Sequence, residues 1–124
     1  MSKTVALRKA LNERLKAACP HVYYGQADKN TARPYVVYTV ETVAAEDNME
    51  TMELEANVMD YGSDTEPCET IADEVERLFD KWYYLDEEIQ FSAYLDRRQP
   101  VQEEDRKIIR RRILIEIHLT ERRT

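Results

Sequence analysis

Only two glycines, Gly25 and Gly62, occur in 124 residues. Neither a dinucleotide-binding G-x-G-x-x-G turn nor a phosphate-binding P-loop can be built from so few, and no serine stands in a G-x-S-x-G setting. Cysteine is equally scarce. Cys19 and Cys68 form no paired motif, which gives no disulfide framework and suits a reducing compartment. No apolar run approaches the roughly 20 residues that span a bilayer. The amino-terminal MSKTVALRKALNERL carries charge where a secretory signal needs an apolar core. There is no internal repeat and no low-complexity segment, and the length fits one domain with one core. These absences predict a soluble cytoplasmic domain, compatible with assembly into something larger.

Charge of one sign is missing locally. From Glu41 to Glu76 there are thirteen acids and no lysine or arginine, whereas Arg106 to Thr124 holds seven bases and two acids. The whole chain carries a formal charge of -7, so general nucleic-acid binding has no electrostatic support. Two readings of the asymmetry stay open. The acidic and basic elements are sheet neighbours within one subunit, or they meet across a subunit interface.

What the sequence does have is a long run of alternating apolar residues. In IIRRRILIEIHLT, residues 108–120, one set is Ile109, Arg111, Ile113, Ile115, Ile117 and Leu119; the other is Ile108, Arg110, Arg112, Leu114, Glu116 and His118. A period of two with many β-branched side chains predicts a strand with one buried face. It is expected near the middle of a sheet. Arg111 breaks the apolar set, so that end is expected to run beyond the core.

The other elements are arranged around it. Residues 4–18 read as an amphipathic helix with the stripe Leu7, Leu11, Leu15 and Ala18, capped by Ser2 or Thr4 and ended by Pro20. Residues 21–24 read as a short edge strand, and 26–33 as a polar loop. Pro34 opens a strand over 35–43, with Val36, Tyr38 and Val40 facing the core. A turn over 44–48 leads to a strand over 49–61, in which Met52, Leu54, Ala56 and Val58 alternate with Thr51, Glu53, Glu55 and Asn57. A second helix is predicted over 64–82, capped by Ser63 or Asp64, with Pro67 in its first turn and the stripe Cys68, Ile71, Val75, Leu78, Phe79 and Trp82. Residues 88–94 read as a fourth strand and 96–105 as a loop. Residues 121–124 form a charged tail. The order α-β-β-β-α-β-β implies a two-layer α+β domain: a mostly antiparallel sheet of four or five strands with both helices on one face.

Candidate chemistry is sparse. Cys19, His21, Cys68 and His118 match no usual zinc spacing; Cys68 lies on the helix stripe and His118 on the face opposite the isoleucines. Glu53 and Glu55 share a strand face, and Asp86, Glu87 and Glu88 form a run, but general acid–base work needs one carboxyl desolvated relative to another. In Arg110-Arg111-Arg112 the middle side chain points away from the other two, which suits a ladder of salt bridges better than a phosphate cradle. Eight tyrosines sit mostly at strand ends, where they serve edge packing or a protein interface. No catalytic, metal or cofactor set is predicted. The candidate subunit or partner interface is Glu53, Glu55, Arg110 and Arg112, with the acids Glu103, Glu104 and Asp105 of the preceding loop.

The segment Val22-Tyr-Tyr-Gly25, a short polar loop, Pro34-Tyr-Val-Val-Tyr38, an alternating strand ending Val58-Met-Asp-Tyr61, and a capped helix resembles the tail-completion, or tail-terminator, family of long-tailed bacteriophages and prophages. The acids at 103–105 followed by a basic strand of alternating isoleucines are also similar, so the likeness runs from the first helix to the last strand. The resemblance implies a structural protein and no enzyme. It implies a homo-oligomeric ring, a hexamer, at the head-proximal end of the tail in the virion, assembled in the bacterial host cytoplasm. Its partners are further copies of itself, the tail-tube protein and head-completion proteins. DNA passes through the ring without specific binding, and no membrane or cofactor is involved. Another phage neck or head-completion component is the alternative, and a small ligand-binding or enzymatic α+β domain is a further one.

Overall fold

A computed structural model describes residues 2–122. The elements are α1 (Lys3–Ala18), β1 (Val22–Tyr24), β2 (Tyr35–Glu46), β3 (Met49–Tyr61), α2 (Glu66–Phe79), β4 (Trp82–Leu85), β5 (Ile89–Pro100) and β6 (Ile108–Glu121). One six-stranded sheet has the order β1-β2-β3-β6-β5-β4 and curls into a half-barrel. The closing strand is therefore central, flanked by β3 and β5, as its alternation predicts. Of the predicted tail, Glu121 still belongs to β6, whereas Arg123 and Thr124 lie outside the described residues.

Both helices cover the same sheet face. Leu7, Leu11 and Leu15 of α1 recur every fourth residue and are fully buried. So are Cys68, Ala72, Val75 and Phe79 of α2. They close on Val36, Tyr38, Leu54, Ala56, Val58, Phe91, Ile113, Ile115 and Ile117. Each large side chain removed from water stabilises the fold by about 2 kcal/mol before entropy is counted. Ser2 caps α1, its Oγ accepting from the N–H groups of Thr4 and Val5 at 3.2 and 3.4 Å. At α2 the terminal residue Thr65 makes no side-chain cap; Asp64 Oδ1 instead accepts from the Glu66 N–H at 3.0 Å.

The sheet departs from expectation in four places. It has six strands instead of four or five, because Trp82, expected to end the helix, instead opens the strand Trp82–Leu85. Trp82 continues the stripe of α2 in spacing, but Asp80 caps the helix and Lys81 adopts φ +60, so the helix ends at Phe79. The second change is in direction: β1 runs parallel to β2, while the other pairs are antiparallel. Residues 25–34 carry the chain back past the sheet between these strands. Third, the turn expected over 44–48 is shorter. β2 continues to Glu46 through a bulge between Thr42 and Ala44, and only Asp47–Asn48 turn.

Fourth, half of the predicted 96–105 loop is strand. A bulge between Leu95 and Arg97 inserts Asp96 and resets the alternation. Arg98 then falls on the helix-covered face, where an unbroken alternation would put an outward residue. Its side chain is 21 % exposed and meets Glu69 at 3.0 Å, Asp73 at 2.5 Å and Glu76 at 2.7 Å on α2. Arg111 does not run beyond the core either. It is 18 % exposed, and its Nε donates to Glu69 Oε1 at 2.6 Å. These two arginines seal the end of the covered layer where the apolar stripe of β6 gives out.

Candidate interface on the uncovered sheet face

The face of the sheet away from the helices carries the alternate set of each strand, and register sorts that set into rows. Thr39, Glu55, Leu114 and Arg97 lie side by side across β2, β3, β6 and β5. One row on, Val37, Asn57, Arg112 and Gln99 align; one row the other way, Glu41, Glu53, Glu116 and Tyr94 align. The face thus has an arginine-bearing half and a carboxylate-bearing half, set only by which residues pair.

The basic half is held by a polar network. Arg110 Nε donates to Asn57 Oδ1 at 2.8 Å, and its Nη1 donates to Glu103 Oε1 at 2.9 Å. Asn57 Nδ2 donates to Glu55 Oε2 at 2.9 Å, and Glu55 lies 3.9 Å from the Arg110 guanidinium. Asn57 is 9 % exposed and satisfies both ends of its amide, as burial requires. Three of the candidate interface residues, Glu55, Arg110 and Glu103, therefore converge on one network inside the subunit. Arg112 stands beside it, its Nε donating to Gln99 Oε1 at 3.2 Å. Glu104 and Asp105 are exposed in the β5–β6 loop, where Asp105 Oδ1 accepts from the Lys107 N–H at 3.0 Å. Neither carboxylate joins the network.

The acidic half has no such partners. Glu41, Glu53 and Glu116 stand directly opposite one another across three strands. Like charges in that relation are destabilising by up to about 1 kcal/mol per pair. Glu116 meets His118 at 3.0 Å, and His118 packs edge-on to Tyr94 at 6.1 Å. Glu41 and Glu53 have no ion-pair partner among the described residues. The reading within one subunit thus holds for part of the acidic segment. Glu69, Asp73, Glu74 and Glu76 of α2 and the network acids are paired within the chain, whereas Glu41 and Glu53 are among the acids with no such partner among the described residues.

Titration follows the same division. Glu69 loses solvation on docking, but the hydrogen bonds from Arg111 and Arg98 outweigh that and hold its carboxyl below the usual range. Burial disfavours the Arg98 cation, yet its bonds to Asp73, Glu76 and Glu69 reverse the balance and raise its pKa.

The cysteines and His118 are held apart. Cys19 Sγ contacts the carbonyls of His21 and Pro34, Cys68 Sγ that of Val58, and His118 lies on the opposite sheet face. Burial pushes the Cys68 thiol up to about 11, away from the thiolate form that binds metals or attacks substrates. Among the described residues no three His, Cys, Asp or Glu side chains are grouped to hold a metal, and no helix is long and apolar enough to cross a membrane.

The residues that sequence reasoning passed over are Asn57, Glu41, Glu116 and Arg97. Asn57 had a visible signal, a polar amide between Glu55 and Met59 in a buried central strand. The other three acquire their places only from register.

No protein-family model matches the sequence, and no curated protein does. The fold itself is shared. A chain in the virion of a native gene transfer agent (GTA) particle superposes with a TM-score of 0.70 at 12% identity, over 86% of this chain and 84% of that one.

Proposed function

We propose that the chain is a structural component of a phage-like virion and, within it, the tail-completion protein that caps the tail tube and joins it to the head. The observation that carries this reading is the fold shared with a gene transfer agent virion chain over nearly the full length of both. The resemblance of the Tyr-Gly and Pro-Tyr segments to tail terminators supports the finer assignment. In this reading the chain assembles as a ring, taken as a hexamer, located in the virion at the head-proximal end of the tail. It contacts the tail-tube and head-completion proteins. A net charge of -7 suits a passage through which DNA slides without being held. Glu53, Glu55, Arg110 and Arg112 are the candidate contact residues on the sheet face, and Glu103, Glu104 and Asp105 those on the adjoining loop. The role is non-enzymatic and needs no cofactor.

The test is binding to purified tail tubes and, separately, to capsids. Rings at one tube end by negative stain, with light scattering close to six times the 14.7 kDa chain mass, are the expected outcome. Binding to capsids alone would transfer the chain to the head-completion side of the joint. A strict monomer that ignores both would overturn the reading.

A further inference from the structure

The outline of the sheet is stepped, and the steps match. β1 pairs only with Val36–Tyr38 of β2, so β2 has a free edge from Thr39 to Glu46. On the far side β4 pairs only with Gln90–Ala93 of β5 and Asp80 Oδ1 accepts from the Leu95 N–H at 2.9 Å, so β5 has a free edge from Asp96 to Pro100. Following the register across the sheet, Trp82–Leu85 of β4 lies on the rows of Thr42–Glu46, where β2 has no outer neighbour. Val22–Tyr24 of β1 lies on the rows of Arg98–Pro100, where β5 has none. Every such row is five strands wide, and the two ends of the sheet are offset by one strand in opposite senses.

We infer that a second copy of this chain docks edge to edge. Its β4 enters the step beside Thr42–Glu46 of β2, and its β5 receives β1. The inference rests on the ring reading above and names the contact that reading requires. Charge favours this occupant. The acidic row Glu41–Glu53–Glu116 ends at the free edge of β2, and Lys81, just before β4, comes next to the same row from the far side. Neither Glu41 nor Lys81 has an ion-pair partner among the described residues. Side by side, the lysine of one copy meets the outermost glutamate of the next.

Exposed apolar residues are at the same places: Tyr83 at 67 % and Leu85 at 56 % on β4, and Val43 at 55 % on β2. Tyr83 falls on the row of Ala44, beside Val43. A two-fold pairing of β2 edges would instead bring Glu41, Glu46 and Asp47 of one copy beside the same acids of the other. The bulge at Val43 interrupts the ladder once, so side chains carry the contact together with the main chain of residues 44–46. Because the two edges lie on opposite sides of one subunit, the contact is head-to-tail, the kind of contact that generates a ring when the rotation from copy to copy closes.

The test uses cysteine pairs, since Cys19 and Cys68 are 1 % and 0 % exposed and stay out of reach of mild oxidants. Chains carrying Ala44→Cys and Tyr83→Cys are mixed at high concentration and oxidised. A cross-linked heterodimer is expected at a yield on the order of tenfold above an Ala44→Cys and Ala17→Cys mixture, as befits neighbours held together. The yield should fall several-fold with Lys81→Glu and recover when Glu41→Lys is added to the other chain. A yield equal to the control, or a preference for Tyr83→Cys homodimers, overturns the inference. Tail-tube binding by the same variants separates the two failures. Heterodimers without tube binding leave the edge contact standing and remove the tail role; rings on tubes without the cross-link do the reverse.

Discussion

Arg111 and its neighbours Arg110 and Arg112 stand in one strand, yet they belong to two different surfaces. Arg111 points under α2 and is tied to Glu69, while Arg110 and Arg112 point to the uncovered face and meet Asn57, Glu103 and Gln99. The covered face is closed: its apolar residues are fully packed, and its arginines are matched by acids on the helix. The uncovered face is only partly closed, with a satisfied network on one half and an unmatched row of carboxylates on the other. Alternation along β6 makes the difference. A charged residue contributes stability where a helix brings it a counter-charge, and it stays available to a partner where none does.

Substitutions can break this contrast, and the largest effect is expected in the covered core. Phe79→Ala removes a fully buried ring that packs edge-on to Trp82 at 5.3 Å; a loss of about 3–5 kcal/mol by chemical denaturation is expected. Thr39→Ala, exposed on the other face, should stay within about 0.5 kcal/mol.

Next comes the arginine pair. Arg98→Ala strips three acids of α2 of their partner, and a loss of about 1–3 kcal/mol is expected. Arg112→Ala, whose one side-chain bond is to a neutral amide, should cost about 0–1 kcal/mol. Equal losses for the two would contradict the division of the sheet into a closed and an open face.

Acid sharpens the contrast further. The folded-state pKa of Glu69 lies below its unfolded value, so ionisation favours the folded chain. That contribution is complete above the ordinary glutamate value of about 4.3 and is lost as pH falls through the depressed folded value. Denaturation midpoints measured from neutral pH downward should fall on that limb, and Glu69→Gln should flatten it while lowering the plateau at neutral pH.

The smallest effect has the opposite sign. Glu53→Gln takes the central charge out of the row with Glu41 and Glu116, and a gain of a few tenths of a kcal/mol is expected. It should shrink as salt rises to about 0.15 M and beyond, because exposed charges are screened. A loss of stability at low salt would mean that Glu53 has an attractive partner.

Much of the fold was legible. The 3.6-residue stripe of Leu7, Leu11 and Leu15 and the two-residue alternation of β3 and β6 report burial directly, since a regular element exposes a fixed face. β5 was legible only to Tyr94. Beyond it, the bulge at Asp96 shifts the alternation, and Arg98 looks like loop because its acids lie more than twenty residues away in sequence. β4 was hidden for a related reason, with Trp82 keeping helical spacing after the chain has already turned at Lys81. Of the candidate interface, the residue types and faces were legible at Glu55 and Arg110, but the link between them through Asn57 depends on how β3 and β6 are paired.

By itself, the sequence determined the covered face: which residues leave water, how many helices cover them, and that the isoleucine strand lies centrally. Hydrophobic patterning is local and periodic, so it can be read before the chain is folded. Tertiary structure alone decided the rows, the parallel setting of β1, the bulges, and the stepped edges that leave Glu41 and Lys81 facing outward. These depend on register between distant segments, and a shift of a single residue would have sent every one of those side chains to the other face.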